Sequence, residues 1–294
     1  MIPGNLCLLI QSYLADRTFR VAHEDARSQF YTIQAGVPQG SVLGPILYNL
    51  YTADIPTTTD ITIATFADDT VAMASNNLQV EASEHLQVAL DHISAWTRHW
   101  RIKLNETKSV HVTFTNRKKD LHCQVYLNDI PVPQSETAKY LGLHLDSRLN
   151  WKHHVKQKSL QIAEKLRQMY WIIGQNAKTT LDSKLLIYKA VIKPIWTYGI
   201  QLWGCAKASN REIIQRSQNK CLRCITNACW YTPNKVIHKD LHMKYVDEVI
   251  KDFAVRYENR LHRHTNPLAI ELLDTESDLR RLKRTKPHEL VVQV

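Results

Sequence analysis

The spacing of apolar residues along the chain changes near residue 150. In the first part, short runs such as "DITIATFA" and "TVAMA" predict strands, and apolar residues three or four apart from 78 to 100 predict an amphipathic helix. After Trp151 the helical spacing continues almost to the end. The sequence therefore predicts an α+β fold with two domains, 1–150 and 151–294, the second of them all-helical.

Further elements are predicted in the first domain by the same patterns. Residues 5–15 and the segment "SVLGPILYNLYTADIP" favour helices, the second with a proline in its first turn. "TFRVA" and "QFYTIQA" predict a hairpin, and so does "CQVYLNDIPV" around its Asn-Asp pair. "SVHVTFT" and "AKYLGLHL" each predict a single strand.

Charge is divided unevenly between the two halves. The chain carries +10 overall, made up of −3 over residues 1–150 and +13 over 151–294. A basic half beside an acidic one suggests that one part holds a polyanion and the other acts on it. A soluble basic surface with no partner remains the alternative.

Cysteine content and hydropathy indicate an intracellular protein, nuclear or cytoplasmic, rather than a secreted one. The six cysteines do not form a disulfide framework at this length, and the start of the chain lacks a basic signal-peptide region. The most apolar stretch, "LLIYKAVIKPIWTYGIQLW", is interrupted by Lys189, Lys193 and Pro194, so no membrane span is expected. The oligomeric state stays open.

Two adjacent carboxylates, Asp68 and Asp69, lie between two apolar runs. An ordinary polar turn is one interpretation, because Asp tolerates tight backbone. The flanking strands, however, are predicted to be buried and to deliver both carboxylates to one tip. Like charges held this close repel unless a cation lies between them, and a hard divalent ion such as Mg²⁺ is the natural partner.

A glycine-rich loop precedes the carboxylate pair. Gly36, Gly40 and Gly44 fall within nine residues of "AGVPQGSVLGPILYN", directly before a predicted helix. Such a loop lets backbone approach a ligand closely at a helix N-terminus, although a plain structural turn is equally compatible.

Taken in order, these segments resemble a known family. "AGVPQGSVLGPILYNLYTADIP", "ATFADDTVA", "WRIKLNETKSV" and "KYLGLHLDSRLNW" are similar in sequence and spacing to the later palm motifs of reverse transcriptases, particularly those of jockey-type non-LTR retrotransposons. "RSQNKCLRCITNACWYTPNKVIHKDL" and "RYENRLHRHTNPLAIELLD" resemble the thumb and connection that follow. The resemblance covers essentially the whole chain.

The resemblance implies a role for each matching residue. Asp68 and Asp69 match the catalytic, metal-binding pair, and Phe66 stands in place of the more familiar Tyr. The other matches are a nucleotide- and template-binding loop (Gln39, Gly40, Ser41), a possible proton donor (Lys108) and a primer-grip hairpin (Tyr140, Leu141, Gly142). A solvated Lys108 and a local core role for Tyr140 and Leu141 are the alternatives.

The same resemblance implies two-metal nucleotidyl transfer with Mg²⁺, or Mn²⁺, as cofactor. The implied partners are an RNA template, a DNA primer and deoxynucleoside triphosphates, with the basic helical half on the nucleic-acid backbone. The family's further palm Asp and its fingers have no counterpart here, since Asp16, Glu24 and Asp25 occupy helix-end and turn contexts. The chain is therefore interpreted as an N-terminally truncated reverse transcriptase that is inactive alone, with an unpaired edge on its palm sheet.

Several alternatives remain open at this point. A non-catalytic nucleic-acid-binding remnant is the main one, and a nuclease is another. A zinc module could use Cys221, Cys224, Cys229, His238 and His242, but the first two lie in a predicted amphipathic helix, so zinc is disfavoured. The basic run at 280–284 is interpreted as a solvated tail, with a nuclear address or an RNA contact as alternatives.

Overall fold

The computed structural model describes residues 3–38, 40–116, 123–273, 287 and 289–292. Among these residues, contacts divide the chain into two units: Met1–Ser109 with Leu121–Val132, and Val110–Asp120 with Pro133–Val294. Helices are combined with small antiparallel sheets, and the helices dominate the C-terminal half, which confirms the α+β class. The domain boundary at residue 150 stays a prediction.

In its described residues, the first unit contains three helices and four two-stranded antiparallel ribbons. Its elements are α1 (Gly4–Leu14), β1 (Thr18–Phe19), β2 (Ala22–His23), β3 (Ala26–Arg27), β4 (Tyr31–Thr32), α2 (Leu43–Tyr51), β5 (Ile61–Phe66), β6 (Asp69–Ala74), α3 (Gln79–His99), β7 (Tyr126–Leu127) and β8 (Ile130–Pro131). The pairs are β1 with β4, β2 with β3, β5 with β6, and β7 with β8. Among the described residues, β5 and β6 pair only with each other, which leaves both outer edges of that ribbon unpaired.

Helix α3 holds the first unit together. Its apolar face buries Ala89 and Ile93, and it packs against both β6 and β7. The Gln87 side chain donates to the carbonyl of Tyr126 at 3.1 Å and accepts from its amide at 2.7 Å, so one amide group fastens α3 to the edge of β7.

Burial of the strands beside the carboxylate pair is less than the sequence suggested. The expectation that both flanking strands are buried is wrong: within β5 and β6 only Ile61 is buried, at 7% exposure. One face of the ribbon packs on α3, and no second layer covers the other face within the described part of the unit. The apolar composition of β6 therefore does not by itself indicate burial.

The second unit is mostly helical and begins with one hairpin. Its elements are β9 (Thr137–Tyr140), β10 (Leu143–Asp146), α4 (Lys152–Gln168), α5 (Tyr170–Ile173), α6 (Leu181–Ile187), a π-helical turn (Tyr188–Ile192), α7 (Lys193–Thr197), α8 (Ile200–Trp203), α9 (Ala208–Thr226), α10 (Asn234–Asp240), α11 (Val246–Leu261), α12 (Pro267–Ile270), a 3₁₀ turn (Glu271–Leu273) and α13 (Glu289–Val292).

A large apolar core fills this second unit. Tyr188, Trp196 and Trp203 are fully enclosed, and residues of α4, α9 and α11 surround them. The three-and-four spacing that predicted these helices places their apolar stripes on this core.

Two strand predictions are wrong. Within the described residues, the segment 109–115 contains one isolated β-bridge, from His111 to Gln134, instead of a continuous strand, and Val110 and Phe114 are half-exposed. The segment "AKYLGLHL" is a complete hairpin rather than one strand, because Leu141 (φ 45°) and Gly142 (φ 74°) turn the chain between β9 and β10.

Two sequence predictions concern other parts of the chain. The basic run at 280–284 lies outside the described residues. Within the described residues, no helix combines the length and the apolar character that crossing a bilayer requires.

Candidate functional site

The adjacent carboxylates lie at the tip of the β5–β6 hairpin. Phe66 pairs with Asp69 across the ribbon, so Ala67 and Asp68 form a two-residue turn. Both carboxylates are exposed, and the Phe66 ring beside them is 63% exposed. The tip therefore presents two anionic groups and one aromatic ring to solvent, where a cation and a nucleotide can reach them.

The turn at this tip is strained. Ala67 has a φ of +52°, a left-handed conformation that Gly adopts freely and that a Cβ disfavours. Strain of this kind persists where the position of neighbouring groups matters more than local stability.

Replacing Ala67 with Gly is expected to stabilise the protein slightly. Relief of the left-handed strain is worth up to about 1 kcal/mol, part of which is offset by the greater freedom of Gly in the unfolded chain. Urea unfolding followed by circular dichroism measures the change. Ala72→Gly, inside β6, is the matched control and should destabilise by about 0.5–1 kcal/mol; a loss of similar size from Ala67→Gly would contradict the prediction.

The glycine-rich loop is shaped around the start of α2. Gly40 has a φ of +82°, and apart from its own atoms and its chain neighbours no atom lies within 4 Å of the position that a Cβ would take there. The Ser41 hydroxyl donates to the Pro38 carbonyl at 2.9 Å and accepts from the Gly44 amide at 3.0 Å, so it stabilises the first turn of α2. Gln39, the remaining residue predicted in this loop, lies outside the described residues.

Tyr48 connects α2 to the carboxylate pair. Partial burial raises the pKa of the Tyr48 hydroxyl, and the negative charge of Asp68 raises that pKa further. The charge of Asp68 therefore acts on the hydroxyl of a residue in α2, the helix that follows the glycine-rich loop. Sequence reasoning did not single out Tyr48; its place in α2, directly after the glycine-rich loop, was the available signal.

Lys108 occupies a turn rather than the tip. Its amide donates to the Asn105 side-chain oxygen at 3.1 Å, and its own side chain is exposed. Within the described part of the chain, no ion pair joins Lys108 to Asp68 or Asp69.

The β9–β10 hairpin, in the second unit, contains the remaining predicted residues. The Tyr198 hydroxyl donates to the Leu141 carbonyl at 2.7 Å, and its ring lies 3.2 Å from where a Gly142 Cβ would be. Gly142 is thus required both by its positive φ and by this close ring. Tyr140, at the end of β9, is half-buried.

Two of the five candidate zinc ligands, His238 and Cys221, lie in environments that disfavour metal binding. His238 has both ring nitrogens in hydrogen bonds, Nδ1 with the Met243 carbonyl and Nε2 with the Asn219 side chain, each at 2.8 Å. Burial raises the pKa of Cys221 to about 12, which disfavours the thiolate that zinc binds. Among the described residues, no group of three or more His, Cys, Asp or Glu is arranged to hold a metal ion.

The donor set at the hairpin tip suits a hard divalent cation. Mg²⁺ binds proteins through one or two carboxylates and completes its octahedron with water and substrate phosphates. Asp68 and Asp69 supply two carboxylates with open solvent around them. The described residues offer no third carboxylate, so the remaining positions of the octahedron are left for other ligands.

Comparison with known proteins identifies the class to which this hairpin and loop belong. Residues 2–145 match the family model described as "Reverse transcriptase (RNA-dependent DNA polymerase)". Residues 2–145 are thus similar to the reverse transcriptase family, as the sequence motifs indicated. Members of this family generally use divalent metal ions.

Curated relatives define the branch of the family more closely. The chain is 39% identical over 99% of its length to the probable RNA-directed DNA polymerase from transposon X-element of Drosophila melanogaster, and 37% identical over 97% to that from transposon BS of the same species. It is 36% identical over 99% to the RNA-directed DNA polymerase from mobile element jockey, also of Drosophila melanogaster. The chain spans about a third of the length of these relatives (32–33%). No solved structure matches the chain.

Proposed function

We propose that this chain forms part of the catalytic centre of an RNA-directed DNA polymerase and that Asp68 and Asp69 supply two of the carboxylate ligands for its divalent metal, Mg²⁺ or Mn²⁺. The observation that carries the proposal is the hairpin register, which places two exposed carboxylates at one strained tip. The similarity to three transposon polymerases over almost the whole chain supports it.

Each residue around the tip has a defined task in this proposal. When bound, a divalent cation supplies Lewis acidity to the primer hydroxyl and neutralises charge on the triphosphate. Asp68 and Asp69 hold it, and the exposed Phe66 ring packs against the incoming nucleotide. Gln39, Gly40 and Ser41 form the loop that contacts the template and the nucleotide. The open space at the Cβ position of Gly40 allows both to approach the loop backbone closely.

Three further assignments rest on the motif alignment alone. Lys108 would act as a proton donor near the pyrophosphate leaving group, for which its exposed side chain is free to move. Tyr140, Leu141 and Gly142 would hold the primer terminus, and the Tyr198 hydrogen bond would fix the shape of that turn. The proposed substrates are an RNA template, a DNA primer and deoxynucleoside triphosphates, with the basic second half contacting the nucleic-acid backbone.

Metal binding by the chain tests the carboxylate assignment directly. Titration with Mn²⁺, followed by electron paramagnetic resonance, is expected to show a site that weakens at least about tenfold in the Asp68→Asn/Asp69→Asn double variant, because two charged ligands are removed. Asp60→Asn changes an exposed carboxylate just before β5 and serves as the control. Equal Mn²⁺ affinity in the wild-type chain and the double variant would overturn the assignment.

A further inference from the structure

The loop between α9 and α10 is held in one shape by an arginine. Arg223 donates from Nε to the Asn234 side chain at 3.1 Å, from Nη1 to the Cys229 carbonyl at 2.9 Å, and from Nη2 to the Thr232 carbonyl. Asn227, in a left-handed conformation (φ 53°), ends α9 and starts the loop. These bonds span the loop, so its backbone is ordered before any partner arrives.

Two aromatic rings project from this fixed loop into solvent. Trp230 is 90% exposed and Tyr231 is 71% exposed. Their ring centroids lie 5.9 Å apart at an interplanar angle of 84°. Neither ring belongs to the apolar core of the second unit, so this exposed aromatic surface is available to a binding partner.

The segment around these rings carries only positive charge. No Asp or Glu occurs between Glu212 and Asp240, whereas Arg216, Lys220, Arg223, Lys235 and Lys239 all lie in that interval. All of these basic residues except Arg223 are exposed. Two of them flank the loop closely: Lys220 is one helical turn before Arg223 in α9, and Lys235 is in the first turn of α10.

We propose that Trp230 and Tyr231 form a base-stacking platform for single-stranded nucleic acid, with Lys220, Lys235 and Lys239 attracting its phosphates. Stacking on aromatic side chains combined with a cationic surface is how proteins bind single strands without sequence preference, because every base has an aromatic face. The absence of acidic residues favours a polyanion over a protein partner, which would need complementary carboxylates of its own. The platform lies entirely in the second unit and does not depend on metal binding at the hairpin tip.

Binding of an unstructured oligonucleotide tests the platform. Fluorescence anisotropy of the full chain with labelled oligo(dT) and oligo(rU) of about 12 nucleotides, in EDTA, should show a Kd at least about tenfold higher for Trp230→Ala/Tyr231→Ala. The single variant Trp230→Phe, which keeps an aromatic ring at this position, should retain most of the wild-type affinity. The slope of log Kd against log salt concentration should be the same for the double variant and the wild type. Lys235→Ala should lower that slope by about one, because one phosphate contact is lost.

Trp171→Ala is the matched control, since that ring is 77% exposed elsewhere in the same unit. Its Kd should stay within about twofold of wild type. Unchanged affinity in the double variant, or an equal loss in Trp171→Ala, would overturn the platform. The platform would also be overturned if the double variant lost as much affinity for blunt duplex, whose base faces are hidden, as for single strands. It would likewise be overturned if the double variant lost affinity only for phosphatidylserine vesicles, which would indicate a membrane-binding surface. Because EDTA removes divalent ions, these outcomes are independent of the Mn²⁺ titration.

Discussion

Asp68→Asn is expected to lower primer extension on the order of a thousandfold in a polymerase that contains this chain. The substitution keeps the shape of the side chain and removes one of two negative charges at the tip. Metal stabilisation of the reacting groups contributes several kcal/mol to such reactions, and each 1.36 kcal/mol corresponds to a factor of ten in rate. The assay uses a chimera in which the chain replaces the matching third of the jockey polymerase, with primed poly(rA), dTTP and Mg²⁺.

Two controls define this experiment. Asp60→Asn in the same chimera should extend at close to the wild-type rate, because its carboxylate lies just outside β5, away from the tip. The 294-residue chain assayed alone is expected to give no extension, since the described residues supply two carboxylates and no third. If the isolated chain extends the primer and Asp68→Asn abolishes that extension, the expectation for the isolated chain is contradicted. If the Asp68→Asn chimera remains active, the predicted thousandfold loss is contradicted.

Trp203→Ala is expected to destabilise the second unit by about 3–5 kcal/mol, the range seen when a large buried aromatic is truncated. Trp203 is fully buried in the core, and its indole N–H donates to the Tyr198 carbonyl at 3.2 Å. Truncation removes the packed ring, leaves a cavity and deprives that carbonyl of its donor. Guanidinium unfolding followed by far-ultraviolet circular dichroism measures the loss.

Trp171→Ala again provides the comparison, because the side chain is of the same type but 77% exposed. Its effect on the free energy of unfolding should stay within about 0.5 kcal/mol. Similar losses from both substitutions would show that the core around Trp203 is not the main source of stability in this unit.

The elements that local pattern specifies were predictable from sequence. The short runs "DITIATFA" and "TVAMA", on either side of two carboxylates, predicted the two strands of the β5–β6 hairpin. The Asn128-Asp129 pair predicted the β7–β8 turn, and both residues do adopt positive φ. Apolar spacing likewise predicted α3 to within one residue at each end and predicted that the second unit is mainly helical, as expected when a stripe of side chains is buried on a core.

Features that depend on distant residues were not predictable. Leu141 is an unfavourable residue for a left-handed turn, and the turn there is bonded by Tyr198, 57 residues later. The electrostatic effect of Asp68 on the Tyr48 hydroxyl is likewise an interaction between distant residues that no local pattern encodes. Residues 109–115 alternate like a strand, yet within the described residues the segment contains a single β-bridge, from His111 to Gln134.

If Asp68 and Asp69 bind a metal ion as proposed, the two edges of the β5–β6 ribbon that are open among the described residues link metal affinity to strand pairing. A two-stranded ribbon is only marginally rigid in water, so the angle between the two carboxylates is free to fluctuate. A strand from any polypeptide that pairs with either edge would reduce the fluctuation of the angle between the two carboxylates and would raise the metal affinity. By thermodynamic reciprocity, a bound metal ion would strengthen the docking of that strand by the same factor. Assembly of the sheet and loading of the ion would thus proceed as one cooperative event.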